Sequence, residues 1–136
     1  MTAFVDTNVL LYAVSRRADE QYKRAQTWKI LDGGDLVFSL QVLQEFYAQT
    51  TRATRPKRLT EDEALAFLER WRRFPVQETT LALLDRGFEL QKRHRFSFWD
   101  AMIVAAALAQ GCGILWSEDM QHGRIVEGVE IRNPFR

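Results

Sequence analysis

The chain has 136 residues, 46% hydrophobic and 27% charged, and its 19 Lys and Arg against 18 Asp and Glu leave a net charge of +1. These values describe one globular domain, residues 1–136, able to bury a real core, and they argue against disordered and fibrous classes. The single cysteine, Cys112, excludes an internal disulfide and a multi-cysteine zinc site and fits a reducing cytoplasm.

Met1 to Asp6 contains no basic leader followed by an apolar stretch, and the longest low-charge stretch, Ala101 to Trp116, is shorter than a bilayer span. The expectation is a cytoplasmic protein with no membrane association. Ala3-Phe4-Val5 reads as a short buried strand entering a helix near Thr7 that runs to Ala13. A second helix, Ala18 to Leu31, places Tyr22, Ala25 and Trp28 on one face and stops at Asp32-Gly33-Gly34. Leu36-Val37-Phe38 is the second strand. Ser39 caps a helix whose Leu40, Leu43, Phe46 and Tyr47 share a face, and Thr60 with Glu63 forms a capping box before a helix carrying Ala64, Phe67, Leu68 and Trp71.

Pro75 ends that helix, and Val76 opens a brief edge strand. Leu81, Leu84, Phe88 and Gln91 then follow helical spacing. Ser97 caps a nearly all-apolar helix from Phe98 to about Gln110, which is expected to be buried. Gly113 to Trp116 and Val129 to Ile131 complete about five strands. Alternation of strands and helices predicts a three-layer α/β domain with a mainly parallel twisted sheet flanked by helices.

Four acids stand where strands run out or helices begin: Asp6, Glu45, Asp100 and Asp119. Each has a plain structural explanation. Asp6 is placed to cap a helix, Asp100 to close a capping box on Ser97, Glu45 to be solvated, and Asp119, beside Glu118, to sit in a turn. Together they are more informative, because an open α/β sheet gathers the carboxyl ends of its strands at one edge, where ligands bind. Carboxylates about 4 Å apart repel by roughly 4 kcal/mol per pair at an effective dielectric of 20, so such a cluster needs a cation or raised pKa values. Oxygen ligands without His or Cys select Mg²⁺ or Mn²⁺, whose leading use with carboxylates is phosphodiester hydrolysis. Three basic clusters, Arg52/Arg55/Lys57/Arg58, Arg70/Arg72/Arg73 and Lys92/Arg93/Arg95, are available to offset a phosphate backbone.

Val5-Asp6-Thr7-Asn8-Val9-Leu10, Ser39 to Phe46 around Glu45, Phe98 to Ala107 around Asp100, and Leu115-Trp116-Ser117-Glu118-Asp119-Met120 resemble, in order, the four acid motifs of PIN-domain ribonuclease toxins of VapBC type II toxin–antitoxin pairs. The resemblance implies a PIN-like fold and a metal-dependent endoribonuclease in which Asp6, Glu45, Asp100 and Asp119 bind Mg²⁺ or Mn²⁺. It also implies support from Asn8 and Ser117, an RNA substrate, a homodimer, and a small antitoxin covering the cleft. Asp119 is the fourth-acid match, with Glu118 adjacent as a substitute.

Trp99 and Phe98, beside Asp100, are assigned to core packing, His94 and His122 to the surface, and Cys112 to a buried site without chemistry. The alternative to a nuclease is a catalytically silent PIN-like module that binds RNA or a protein. A receiver-type phosphoacceptor needs a lysine after its last strand, where this chain has Arg132-Asn133-Pro134.

Overall fold

A computed structural model describes all 136 residues. Strands β1 (Ala3–Val5), β2 (Leu36–Ser39), β3 (Val76–Gln77), β4 (Ile114–Trp116), β5 (Ile125–Val126) and β6 (Val129–Arg132) form one sheet in the order β3-β2-β1-β4-β6-β5. All neighbours are parallel except the β5–β6 hairpin. Six helices, α1 (Thr7–Leu10), α2 (Gln21–Asp32), α3 (Leu40–Thr51), α4 (Glu61–Trp71), α5 (Leu81–His94) and α6 (Phe98–Ala109), flank it in the expected three-layer arrangement.

Parallel neighbours need crossovers, and layers on both faces leave the central strands without a wet side. Every residue of β1 and β2 is accordingly buried, whereas β6, nearer the edge, alternates. On one side Trp71 of α4 packs edge-on to Phe46 at 4.7 Å and stacks on Phe67 at 5.5 Å, covering Phe38. No helix is long and apolar enough to cross a membrane.

The structure departs from the sequence reading in several places. There are six strands, because Ile125–Val126 pairs with β6 across a turn in which Glu127 and Gly128 both take positive φ. The first helix is α only over Thr7–Leu10 and continues as a 3₁₀ turn over Leu11–Val14; the second begins with a 3₁₀ turn at Ala18–Glu20. In α2 the buried residues are Thr27 and Leu31, while Tyr22 and Ala25 face outward. Thr27 tolerates burial because its hydroxyl donates to the Lys23 carbonyl at 2.8 Å.

Helix α5 is also turned from the expected face. It buries Leu83, Gly87 and Leu90, leaving Leu81 and Phe88 exposed. Gly87 lies on this buried face, where a Cβ would run into the Met102 sulfur of α6. Helix α6 buries seven consecutive residues, Ala101 to Ala107, as its composition predicts.

Candidate functional site

Asp6 is the first residue beyond β1. Its N–H still belongs to the sheet, donating to the Trp116 carbonyl at 3.0 Å, while its side chain caps α1 by accepting from the Thr7 N–H at 2.7 Å. The other carboxylate oxygen accepts from Ser117 Oγ at 2.9 Å and Asn8 Nδ2 at 3.3 Å. Asp6 is only 6% exposed, its donors are all neutral, and no Lys, Arg or His forms an ion pair with it. Burial pushes its carboxyl up to about 7, the Ser117 and Thr7 hydrogen bonds pull it down, and the charges of Asp100 and Glu45 raise it further.

Asn8 and Ser117 join Asp6 in a closed hydrogen-bond network. Asn8 Nδ2 also donates to Ser117 Oγ at 3.3 Å, and Asn8 Oδ1 accepts from the Glu118 N–H at 3.1 Å, tying α1 to the loop after β4. Ser117 is fully buried and accepts from the Met120 N–H at 3.4 Å. The Thr7 hydroxyl, in the same turn as Asp6, is buried without a partner.

Glu45 and Asp100 reach the Asp6 edge from α3 and α6. Ser39 caps α3 by accepting from the Val42 N–H at 3.3 Å, and one turn on the half-buried Glu45 accepts from Gln41 Nε2 at 2.8 Å. At α6 only half of the expected capping box forms. Ser97 Oγ accepts from the Asp100 N–H at 3.2 Å, but the Asp100 carboxylate makes no bond back. At α4 both halves of the Thr60–Glu63 box are made. The Asp100 carboxylate, one methylene shorter than that of Glu, is left without a hydrogen bond, and its charge acts on Asp6.

The fourth position divides between two neighbours. Asp119 is exposed on the loop after β4, and the charges acting on Asp6 come from Asp100 and Glu45. Glu118 is held away by the Tyr12 hydroxyl at 2.6 Å and by an ion pair with Lys23, whose ammonium also lies over the Tyr12 and Phe135 rings. Tyr12 and Lys23, partners of Glu118 across about a hundred residues, carried no signal in the sequence.

A PIN domain family model matches residues 3–127. The chain belongs to the PIN domain family. Among solved structures it is similar to a toxin–antitoxin complex from Klebsiella pneumoniae, with 18% identity, a TM-score of 0.73 and 97% of each chain covered. It is also similar to the Mycobacterium tuberculosis VapC20 toxin, which cleaves the sarcin–ricin loop, with 20% identity, a TM-score of 0.67, and 86% of this chain and 89% of that one covered. VapBC2 from Rickettsia felis, bound to a promoter DNA fragment, is a third, at 14% identity, a TM-score of 0.67 and 98% coverage of both chains. At these identities the likeness is one of fold. No curated protein matches the chain.

In this PIN domain the donor set suits an oxygen-ligated divalent cation. A buried carboxylate is costly to ionise, the charges of two more acids act on it, and no protein cation forms an ion pair with any of the three. No three His, Cys, Asp or Glu side chains are drawn into a preformed cage. A groove of about 920 Å³ between α3 and α4, lined mostly by apolar side chains such as Leu43 and Leu68, contains none of the four acids.

The other assignments divide. Cys112 is buried, and burial pushes its thiol up to about 11, as a structural cysteine requires. His94 pairs with Glu127 at 2.9 Å, and exposed His122 accepts from the Asn133 N–H through Nδ1 at 2.9 Å; neither touches the acids. Phe98 packs against the core, but Trp99 does not: it is 66% exposed. Its sequence neighbours gave no warning, because the apolar run that follows it is uniformly buried.

Proposed function

We propose that this PIN domain is a metal-dependent endoribonuclease, the toxin of a VapBC-type pair, acting through Asp6, Glu45, Asp100 and Asp119 on Mg²⁺ or Mn²⁺. The observation that carries the reading is Asp6: a buried carboxyl raised to about 7 beside two further acids, with only neutral donors of its own. Perturbed acids of this kind concentrate at functional sites. When bound, a divalent cation supplies Lewis acidity toward a phosphate oxygen and lowers the pKa of water.

The chain's own groups do the rest. Ser117 and Asn8 fix the orientation of the Asp6 carboxylate. Glu45 and Asp100 share the charge that the cation must meet, and Asp119, exposed on the loop after β4, is the fourth acid of this reading. RNA is the substrate, a homodimer the working form, a small antitoxin the restraining partner, and the cytoplasm the setting. Two of the similar structures are toxin–antitoxin assemblies, which supports that partner by analogy of fold.

The second reading, a silent module that binds RNA or protein without turnover, is favoured by one observation, that Asp119 is exposed while Asp100 and Glu45 are the acids whose charges act on Asp6. Incubating the purified protein with a mixed cellular RNA pool in Mg²⁺, in Mn²⁺ and in EDTA, beside Asp6→Asn, separates the two. Cutting that needs metal and is lost in the variant is expected. RNA left intact in both metals, by protein freed of any bound inhibitor, would favour the silent module.

A further inference from the structure

Trp99 is out of place for a structural residue. It is the second residue of α6, directly before Asp100, yet it is 66% exposed, and beside it Phe88 of α5 is 51% exposed. The three rings form a continuous aromatic surface. Phe88 and Phe98 lie 5.5 Å apart and tilted by 36°, and Trp99 meets Phe98 at 5.0 Å with its plane turned by 72°. Scattered exposed apolar residues need no explanation, but a contiguous aromatic patch marks a binding surface.

Its neighbours identify the ligand. Lys92 and Arg95, at the end of α5, are exposed and form no ion pair, whereas Arg93 between them is engaged by Glu127. Arg95 has a φ of +59°, turning the chain sharply from α5 into α6, so two uncompensated cations and the aromatic surface share one helical-hairpin tip. That tip lies at the carboxyl edge of the sheet: α6 starts where the Asp100 charge acts on Asp6 and ends where the Gly113 N–H meets the Thr2 carbonyl. Trp99 is the immediate neighbour of Asp100 at the start of α6 and projects about 100° around the helix from it.

Free cations beside exposed aromatic faces are the means by which proteins hold single-stranded nucleic acid, the cations following the backbone and the rings stacking on bases. A second copy of the chain is the competing occupant. A two-fold seam here would oppose like patches, bringing Lys92 and Arg95 toward their own copies, and interface cores are depleted of lysine. We propose that Trp99 is a base-stacking platform beside the acidic site, positioning an unpaired base of RNA, with Lys92 and Arg95 taking its phosphates.

This rests on the nuclease reading for its substrate but is tested by binding, independently of cleavage. Fluorescence anisotropy of a labelled single-stranded RNA of mixed sequence, titrated with Asp6→Asn protein in Mg²⁺, is compared with the same protein carrying Trp99→Ala, Trp99→Phe or Lys92→Ala/Arg95→Ala. Trp99→Ala is expected to weaken binding about five- to a hundredfold. Trp99→Phe should keep most of the affinity, the double cation variant should flatten the salt dependence, and duplex RNA should be insensitive to Trp99.

Single-strand affinity unchanged in Trp99→Ala overturns the proposal while leaving the nuclease reading intact if the wild type still cuts RNA. A fall in oligomeric state on sedimentation of Trp99→Ala also overturns it, by assigning the patch to a seam between copies. If the wild type cuts nothing but Asp6→Asn binds the oligonucleotide through Trp99, the platform stands and the nuclease reading fails.

Discussion

Asp6 and Glu127 are two carboxylates of one small domain with opposite fates. Glu127, on the β5–β6 turn, receives Arg86 at 2.6 Å, His94 at 2.9 Å and Arg93 at 3.2 Å, and the His94 and Arg86 hydrogen bonds hold its carboxyl down at about 2. Asp6, at the end of β1, receives only neutral donors and is held up at about 7 by burial. The chain supplies the countercharge at one site and withholds it at the other. An acid neutralised by its own protein belongs to the scaffold, whereas perturbed acids left without a countercharge concentrate at functional sites.

The widest separation between the two is expected from Asp6→Asn, which keeps the cap on α1 but removes the charge that a cation would meet. Cleavage should fall at least about a hundredfold, since metal-supplied charge stabilisation is worth several kcal/mol, with circular dichroism unchanged. Loss of the folded spectrum would make Asp6 structural. Asn8→Ala, which unties Asp6 from Ser117 and the Glu118 backbone, should cost about ten- to a hundredfold in metal affinity, by titration with Mn²⁺, as removal of an outer-shell partner does.

A smaller effect is expected from Glu118→Gln. Its pair with Lys23 is partly exposed, so stability should drop by no more than about 1 kcal/mol in urea melts, with cleavage affected less than in Asp119→Asn. The reverse order would make Glu118 the fourth acid. Glu127→Gln should leave cleavage untouched. Because the folded carboxyl of Glu127 lies below its ordinary value of 4.5, its contribution to stability is present above that pH and is lost as pH falls through about 2. The variant should therefore be less stable than wild type at neutral pH, with the gap closing on acidification in thermal melts. A gap that persisted to pH 2 would contradict the assignment of Glu127 to the scaffold.

Much of the architecture was legible because local signals agreed with it. Ser39, Thr60 and Ser97 cap the helices the pattern placed after them, and the apolar runs at 3–5 and 36–38 are the doubly covered strands. Ile125–Val126 escaped because a two-residue strand with one side chain exposed has no periodicity to read. The rotation of α5 escaped because it shows only in the packing against α6, where Gly87 meets Met102, a tertiary fact. At the candidate site, Asp6 was legible as an acid at a strand end, and Glu45 and Asp100 as acids on the helices that Ser39 and Ser97 cap. What the sequence did not hold was which groups neutralise which: that Lys23 takes Glu118, that Ser97 closes only half its box, and that Trp99 faces water.

The central claim is that the uncompensated acids at the end of β1 hold a divalent cation. Electron paramagnetic resonance of Mn²⁺ titrated into wild type, Asp6→Asn and Glu127→Gln tests it without requiring a substrate. The account predicts bound Mn²⁺ in wild type and in Glu127→Gln, displaced by excess Mg²⁺, and little or none in Asp6→Asn. Equal binding by all three proteins, or no binding by wild type, would contradict it.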